Sequence, residues 1–403
     1  MVSRVIAEIE VKEKKFSNSY RLKKEFVNES CYVRVAIYRL CFASFFFNER
    51  RCILAHGGFS ARVPFYYMEE FAVIRKCSFL LAALLVLCLA GTAAAKTTLT
   101  ALTVWNKENY QTRGLQAMAE RVAALTNGEV ELRVEFGGSL GYKGAELLKA
   151  VADGQLDMAE MVASNVAGDA PVFGLRTLPL MINSWEEVEL FDKMAKPYYD
   201  AAAAKLGQKV LVISPWPFGG LWANKRVEKL EDMKGLKIRS YDRNGSLFAA
   251  ACGAQGLNVP YAEAYTGLAT GLIDSVVTSA ISVREGKFYE VCKFHMPIRF
   301  STATSITTIN EKSWNKLTAD QQKALMTAAA ECEAFLREEV KKVVAENNKF
   351  CYENGVTLVP VSEEYHAQLV KAADSVAKDW LEKNKKATDA VELYHKFMEA
   401  KKK

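Results

Sequence analysis

Histidine is scarce in this chain, with 4 among 403 residues. Once the leader described below is set aside, His295, His366 and His395 remain. The last two lie in a polar C-terminal stretch where a surface position is expected. Cysteine is equally unhelpful to a metal site. Past residue 95 the chain holds Cys252, Cys292, Cys332 and Cys351, with no CxxC or Cys/His spacing of the kind that binds zinc. Cys332 and Cys351 fall in one predicted helix, where 19 residues span about 28 Å, beyond disulfide reach. Cys252 and Cys292 leave a disulfide open, with buried free thiols as the plainer expectation. No cofactor is implied.

A surplus of charge of one sign is also missing where it would matter. The formal net charge is +6. Residues 1–95 hold 14 of the 53 Lys+Arg and 8 of the 47 Asp+Glu, which leaves 39 of each sign in the remainder. Nucleic-acid binding needs clustered positive charge in the folded part, so that partner class is excluded. The prominent apolar run, Cys77 to Ala90, is about 14 residues and falls short of the ~20 that span a bilayer.

That run has a different reading. Arg75-Lys76 precedes it, and the small residues Gly91 to Ala95 follow. A basic n-region, an apolar h-region and a small-residue cleavage site make a secretory signal over 68–95, cleaved after Ala95. Leu87 before Cys88 argues against lipoprotein processing. Residues 1–67 have no clean period and are expected to be an upstream extension from a mis-called start, with translation beginning near Met68. The mature chain is expected to be periplasmic and soluble, not membrane-embedded.

What is present past Lys96 alternates strand and helix. Thr98–Val104 reads as a strand ending at Trp105-Asn106. Tyr110–Leu125 carries apolar residues at helical spacing, and Val130–Phe136 alternates as a second strand. A helix over Gly144–Ala152 and a strand over Asp157–Ala163 follow, ending at Ser164-Asn165. This order predicts a mostly parallel sheet with ligand groups at strand C-termini. Ser184 is set to cap a helix, and Lys209–Ser214 forms another strand. Pro215 to Trp222, rich in aromatics, Pro and Gly, reads as the crossing between two lobes; 403 residues exceed one core. Asp232–Ser279 then reads strand, helix, short strand, helix, strand, with Arg239 at the end of the first strand, where an α/β protein holds anions. Thr318 and Gln321 form a capping box for the longest helix, to Phe350.

Several of these stretches resemble the solute-binding proteins of tripartite ATP-independent periplasmic (TRAP) transporters, the DctP-type group. They are GLKIR, VPYAEAYTGLATGLIDSVVTS and KFYEVCKF, together with SLGYKGAELLKAVADGQLDMAEM and KLTADQQKAL. The resemblance runs from about Thr97 to Lys385. It implies an α/β, two-lobed periplasmic binding protein fold with a ligand cleft between the lobes and a long helix spanning both. The implied division is 96–217 with 304–342 as lobe I, 218–303 with 343–395 as lobe II, and 396–403 as a basic, solvated tail. It also implies a small organic-acid ligand, delivered to the membrane permease subunits, with no catalysis. Arg239 falls on the family's carboxylate-gripping arginine, and Tyr261, Thr278 and Asn165 fall on pocket positions. A second arginine that many members carry is absent from the stretch Phe218 to Trp222. Trp105, Trp216, Phe218, Trp222 and Tyr261 are expected to offer flat apolar surface at the cleft, with Asn106 beside them. An aromatic or hydrophobic monocarboxylate, of indole or phenyl type, is therefore favoured over a C4-dicarboxylate. Presentation to a membrane sensor is an alternative output. A rival class, a secreted serine hydrolase, rests on Gly137-Gly138-Ser139-Leu140-Gly141, which matches GxSxG but lacks an immediate helix and a well-placed histidine.

Overall fold

The computed structural model describes residues 96–402. The leader at 68–95 and the extension at 1–67 lie outside them. Two sheets organise the described chain. The first has the order β2-β1-β3-β10-β4, built from β1 (Thr97–Leu102), β2 (Val130–Glu135), β3 (Met158–Val162), β4 (Gln208–Phe218) and β10 (Thr302–Asn310). The second has the order β11-β9-β5-β8-β6-β7, built from β5 (Gly220–Ala223), β6 (Lys237–Ser240), β7 (Gln255–Asn258), β8 (Ser275–Thr278), β9 (Phe294–Met296) and β11 (Thr357–Leu358).

The expected parallel sheet is realised only in part. β1 runs parallel to β2 and β3, whereas β10 is antiparallel to both β3 and β4. The reason is the crossing. β4 runs straight through Pro215 and Pro217, and only Gly219 separates it from β5 in the other sheet. β10 then returns beside it, with Thr302 opposite Phe218. Gly219 and its neighbours Phe300 and Ser301 exchange backbone bonds of 2.8 and 2.9 Å at the passage. The two connections therefore form a paired ribbon.

The inner strands β3 and β10, and most of β4, are buried on both faces and alternate between two apolar clusters, whereas the edge strand β2 alternates between core and water. Leu99, Met158 and Ile309 pack on one side with α1 (Tyr110–Leu125). Leu102, Ala159 and Ile306 pack on the other with α2 (Leu147–Ala152) and α3 (Trp185–Ala204). In sheet 2, β6, α4 (Arg243–Ala251), β7, α5 (Tyr261–Ala269) and β8 follow the alternation expected for 232–279, with β6 parallel to β7 and β8. A short helix, α6 (Ala280–Glu285), and another, α7 (Glu311–Asn315), precede the longest, α8 (Ala319–Glu353). Thr318 and Gln321 cap α8 reciprocally, as the sequence indicated. Its stripe starts with Leu325 and Leu336 in the core of lobe I and ends with Cys351 in that of lobe II.

The C-terminus departs from expectation. α9 (Glu363–Lys383) packs Tyr365, Leu369 and Val376 on lobe II, but its Trp380 joins the lobe I cluster. α10 (Thr388–Ala400) follows, with Leu393 and Phe397 sealed and the Phe397 ring 5.1 Å from Phe191. Residues 396–400, read as the start of a solvated tail, are its last turn, and the Lys401 ammonium donates to the Met181 carbonyl at 2.7 Å. The composition is basic there, but the apolar face at i and i+4 decides the outcome. The four cysteines of the described residues, Cys252, Cys292, Cys332 and Cys351, are buried free thiols. Among the described residues no helix is long and apolar enough to cross a membrane.

A buried charge cluster ties lobe I to α8. Arg176 and Asp192, 1% and 2% exposed, form an ion pair, and Arg337 of α8 adds a second bond to Asp192 at 2.8 Å. Removing one partner strands a charge in low dielectric. Asp192→Asn is expected to lower the unfolding free energy by about 3–5 kcal/mol, measured by urea denaturation; a loss below ~1 kcal/mol would show that Arg176 finds another way to water.

Candidate functional site

Between the lobes lies a cavity of about 750 Å³, lined from lobe I by Trp105 and Asn165 and from lobe II by Arg239, Tyr261 and Thr278. Five of the nine residues singled out from sequence thus meet at one place. Each sits where a strand ends or a helix begins. Arg239 is at the C-terminal end of β6, Thr278 closes β8, and Tyr261 opens α5 behind Pro260. Asn165 lies in the turn after β3. Its amide stands against Gly144, where a Cβ would come within 3.2 Å of it.

Arg239 is 3% exposed. Its Nε donates to the Val259 carbonyl at 2.8 Å, and among the described residues no carboxylate pairs with it. Burial pulls its pKa down to about 10, opposed by the nearby Tyr261, Tyr241 and Asp242. It is therefore still a cation at neutral pH, and it borders the cavity.

Trp105 and Tyr261 meet across the cleft, edge to face with centroids 5.4 Å apart. A sealed carboxylate sits behind Trp105. Glu160, 2% exposed in the middle of sheet 1, accepts from Thr103 Oγ1 at 2.6 Å and from the Ser305 hydroxyl. Thr103 Oγ1 in turn accepts the Trp105 backbone N–H at 3.4 Å, and Ser305 Oγ accepts Trp216 Nε1–H at 2.8 Å. Burial raises the Glu160 pKa, and the Ser305 and Thr103 hydroxyls work against the shift. One buried acid thus anchors the Trp216 indole and the backbone of Trp105.

The other four residues fall outside the cavity. Trp216 forms a second layer behind Trp105, with centroids 4.6 Å apart. Asn106 is exposed, and its side-chain oxygen accepts the Asn109 N–H at 3.1 Å, closing the turn before α1. Phe218 lies under the Arg299 guanidinium at the ribbon. Trp222, fully buried, stacks on His295 at 3.8 Å and 4°; burial lowers that imidazole to about 3, so it stays neutral. Phe218 and Trp222 border a separate hinge cavity of about 220 Å³. In a strand, neighbouring side chains face opposite sides, and composition does not say which side meets the ligand.

Other cavity residues escaped the sequence reading. Tyr241, Asp242, Tyr142 and Trp380 line it. Asp242 had a legible signal, since it caps α4 through a bond from Gly245 N–H at 2.9 Å and stands just before the helical run. Trp380 had none, because it arrives from the C-terminal helix. Ser139 of the GxSxG stretch is on a turn whose Gly137, Gly138 and Gly141 all have positive φ, and its hydroxyl donates to Glu135. No nucleophile elbow forms.

A family model described as bacterial extracellular solute-binding protein, family 7 (DctP), matches residues 102–384. The chain belongs to the DctP family. Members are binding proteins of transporters rather than enzymes. The chain is 30% identical to a 2,3-diketo-L-gulonate-binding periplasmic protein of Escherichia coli, over 56% of this chain and 68% of that one. It is 25% identical to a monocarboxylate 2-oxoacid-binding periplasmic protein of Nostoc, over 70% of this chain and 78% of that one. Among solved structures, a Bordetella pertussis extracytoplasmic solute receptor binding pyroglutamic acid superposes with a TM-score of 0.71 at 26% identity. That match covers 74% of this chain and 100% of the receptor. The two-lobed α/β architecture is that of the DctP fold.

The lobes are closed on the cavity by cross-lobe bonds. Asn244 of α4 donates to the Gly174 carbonyl at 2.8 Å. Asn109, the cap of α1, donates its amide to both oxygens of Glu285 at 3.1 and 2.9 Å. Burial pushes Glu285 up to about 7. The Asn109 bond, Arg284 and Arg113 hold it down, and Glu108 adds to the rise. Because its ordinary value is 4.5, the folded chain holds this proton longer than a solvated glutamate does. Stability linked to Glu285 is therefore full at acid pH and falls as pH rises through that window. Carboxyl-carbon NMR is expected to show a midpoint near 7, moved upward in Asn109→Ser, which keeps the helix cap but loses the amide. A midpoint near that of a free glutamate would refute the desolvation.

Proposed function

We propose that this DctP-family chain is the periplasmic solute-binding subunit of a TRAP transporter, capturing a small monocarboxylate on Arg239 and delivering it to the membrane permease. The carrying observation is the buried Arg239 cation, unpaired among the described residues and bordering the cavity between the lobes. Four N–H donors remain on it, in the planar fork that fits a carboxylate bidentately. Such a ligand would neutralise a charge that the protein leaves uncompensated, and hinge closure of the lobes would seal the pair from water.

A single carboxylate is favoured because the other cavity cations are otherwise engaged or peripheral. Lys143 pairs with Glu263 at 3.3 Å and Lys383 pairs with Asp379, both on the exposed rim, and Arg243 is exposed. The ligands named for the three relatives are also acids with one carboxylate. For the rest of the molecule, Trp105, Tyr142, Tyr241, Tyr261 and Trp380 offer ring faces and edges. Pockets of this kind hold an apolar body with few polar contacts, so an aromatic or otherwise ring-bearing acid suits the cavity. The support comes from these rings and not from Trp216, Phe218 or Trp222.

Titration calorimetry with phenylacetate, indole-3-acetate, an aryl 2-oxo acid, pyroglutamate, succinate and malate is the test. One or more of the monocarboxylates is expected to bind, and Arg239→Ala to weaken it by about 100-fold or more, since truncating one partner of a buried charge pair costs 2–5 kcal/mol. Arg239→Lys keeps the charge but not the fork and is expected to fall between. Tight succinate or malate binding with no monocarboxylate binding would defeat the reading.

A further inference from the structure

Gripping a carboxylate on Arg239 does not by itself close the cleft. Arg239 stands on β6, within lobe II. A ligand shifts an equilibrium between open and closed forms only through contacts that differ between the two. A group is needed that borders the occupied site and also holds the hinge. Tyr241, next but one to Arg239 in the chain, meets both conditions.

Tyr241 lines the cavity, and its ring packs against the apolar clusters of both lobes. Its hydroxyl shares a hydrogen bond of 2.7 Å with Ser301 Oγ. Ser301 is the residue at which the return strand changes lobes. Phe300 before it is sealed in the lobe II core, and Thr302 after it opens β10 of sheet 1. The Ser301 carbonyl accepts the Gly219 N–H of the other crossing strand at 2.8 Å. Ser301 is 2% exposed, so in this arrangement water does not replace the phenol.

The backbone is strained at the same place. Arg299 and Leu180 have φ of 48° and 53°, a left-handed conformation that residues with a Cβ rarely adopt. Arg299 immediately precedes Phe300, and the Leu180 N–H donates to the Phe300 carbonyl at 2.8 Å. Strain of this kind persists only where the surrounding bonds over-determine it. The Tyr241–Ser301 bond is such a constraint, and it runs from the pivot to the wall of the cavity.

We propose that Tyr241 is a positioning residue that couples an acid held on Arg239 to closure of the hinge, through its bond to Ser301. The inference rests on the reading of Arg239 as the carboxylate grip and adds the step from grip to closure. The bond belongs to the closed form, and opening turns Ser301 away from the phenol. An acid packed on the Tyr241 ring beside Arg239 holds that ring where the bond is made. The hydroxyl therefore acts on ligand retention through Ser301 and needs no contact with the ligand.

Tyr241→Phe keeps the ring and loses the tie, and Ser301→Ala removes it from the other side. Both, their double variant and Arg239→Ala are compared with the wild type in three measurements. Calorimetry uses the monocarboxylate of the panel that the wild type binds most tightly. Pulsed electron-paramagnetic-resonance distances between labels at Lys149→Cys in lobe I and Lys229→Cys in lobe II give the closed-to-open ratio, with and without that acid. Thermal melts report folding. Each single variant is expected to bind about fivefold more weakly, the worth of one net hydrogen bond. The double variant is expected to lose no more than either single one, and the closed-to-open ratio to fall by the same factor. A merely structural hydroxyl would lower the melting temperature and leave affinity and ratio as in the wild type, which overturns the proposal. Single effects that add in the double variant overturn it as well. Binding that survives in Arg239→Ala overturns the grip instead, and the ratio in the ligand-free protein still decides the tie to Ser301.

Discussion

A guanidinium held at 3% exposure without an acidic partner among the described residues is the constraint on which this architecture turns. Burying a charge is tolerable only if something repays the lost hydration. The protein supplies one backbone carbonyl, from Val259, and a strand end that fixes the side chain. The lowering of its pKa, caused chiefly by burial, is the signature of the remaining debt. Around Arg239 stand the Trp105–Tyr261 contact, the turn carrying Asn165, and Trp380 arriving from the far end of the chain. An arginine paired with a carboxylate in the same place would be a structural tie, as Arg176 is in lobe I. The contrast between the two arginines separates a site from a strut.

Closure depends on a different set of bonds. The lobes are joined by a two-stranded ribbon at Gly219 and by α8, whose ends lie in different cores. A paired ribbon bends more readily than it shears, because its bonds run between the two strands and not along the hinge. Across the cleft, Asn109–Glu285 and Asn244–Gly174 hold the lobes together through hydrogen bonds. Such bonds are worth about 1 kcal/mol each net of solvation. They bias the closed form without locking it, as a protein that must release its ligand requires.

Much of the frame was legible in the sequence. The alternation over 232–279, the capping box at Thr318, the Ser184 cap and the crossing at 215–222 all appear where composition and period placed them. Local signals suffice there because caps, turns and periodicity are local. Arg239, Tyr261, Thr278, Asn165 and Trp105 also come together as expected, since strand C-termini on one edge converge by topology. What failed is side-chain facing and long-range arrival. Trp222 is on the sheet that carries the cavity, yet it stacks on His295 on another side of it. Phe218 is at the hinge. The pairs Asn109–Glu285 and Phe191–Phe397 join residues far apart in the chain, and no spacing rule reaches that far. The C-terminal lysines disguised a helix whose apolar face is a single stripe of three residues.

The corrected aromatic set changes what discrimination the cavity can achieve. Rings give contact area and shape, and a missing methylene against them alters affinity by about 1–3 kcal/mol. The polar groups between the lobes act differently. The Asp242 carboxylate of lobe II is sealed from water beside the Ser164 hydroxyl of lobe I, so this contact belongs with Asn109–Glu285 and Asn244–Gly174 in holding the lobes together. Discrimination is then left to Arg239 and to fit against the rings, the groups that border the open space of the cavity.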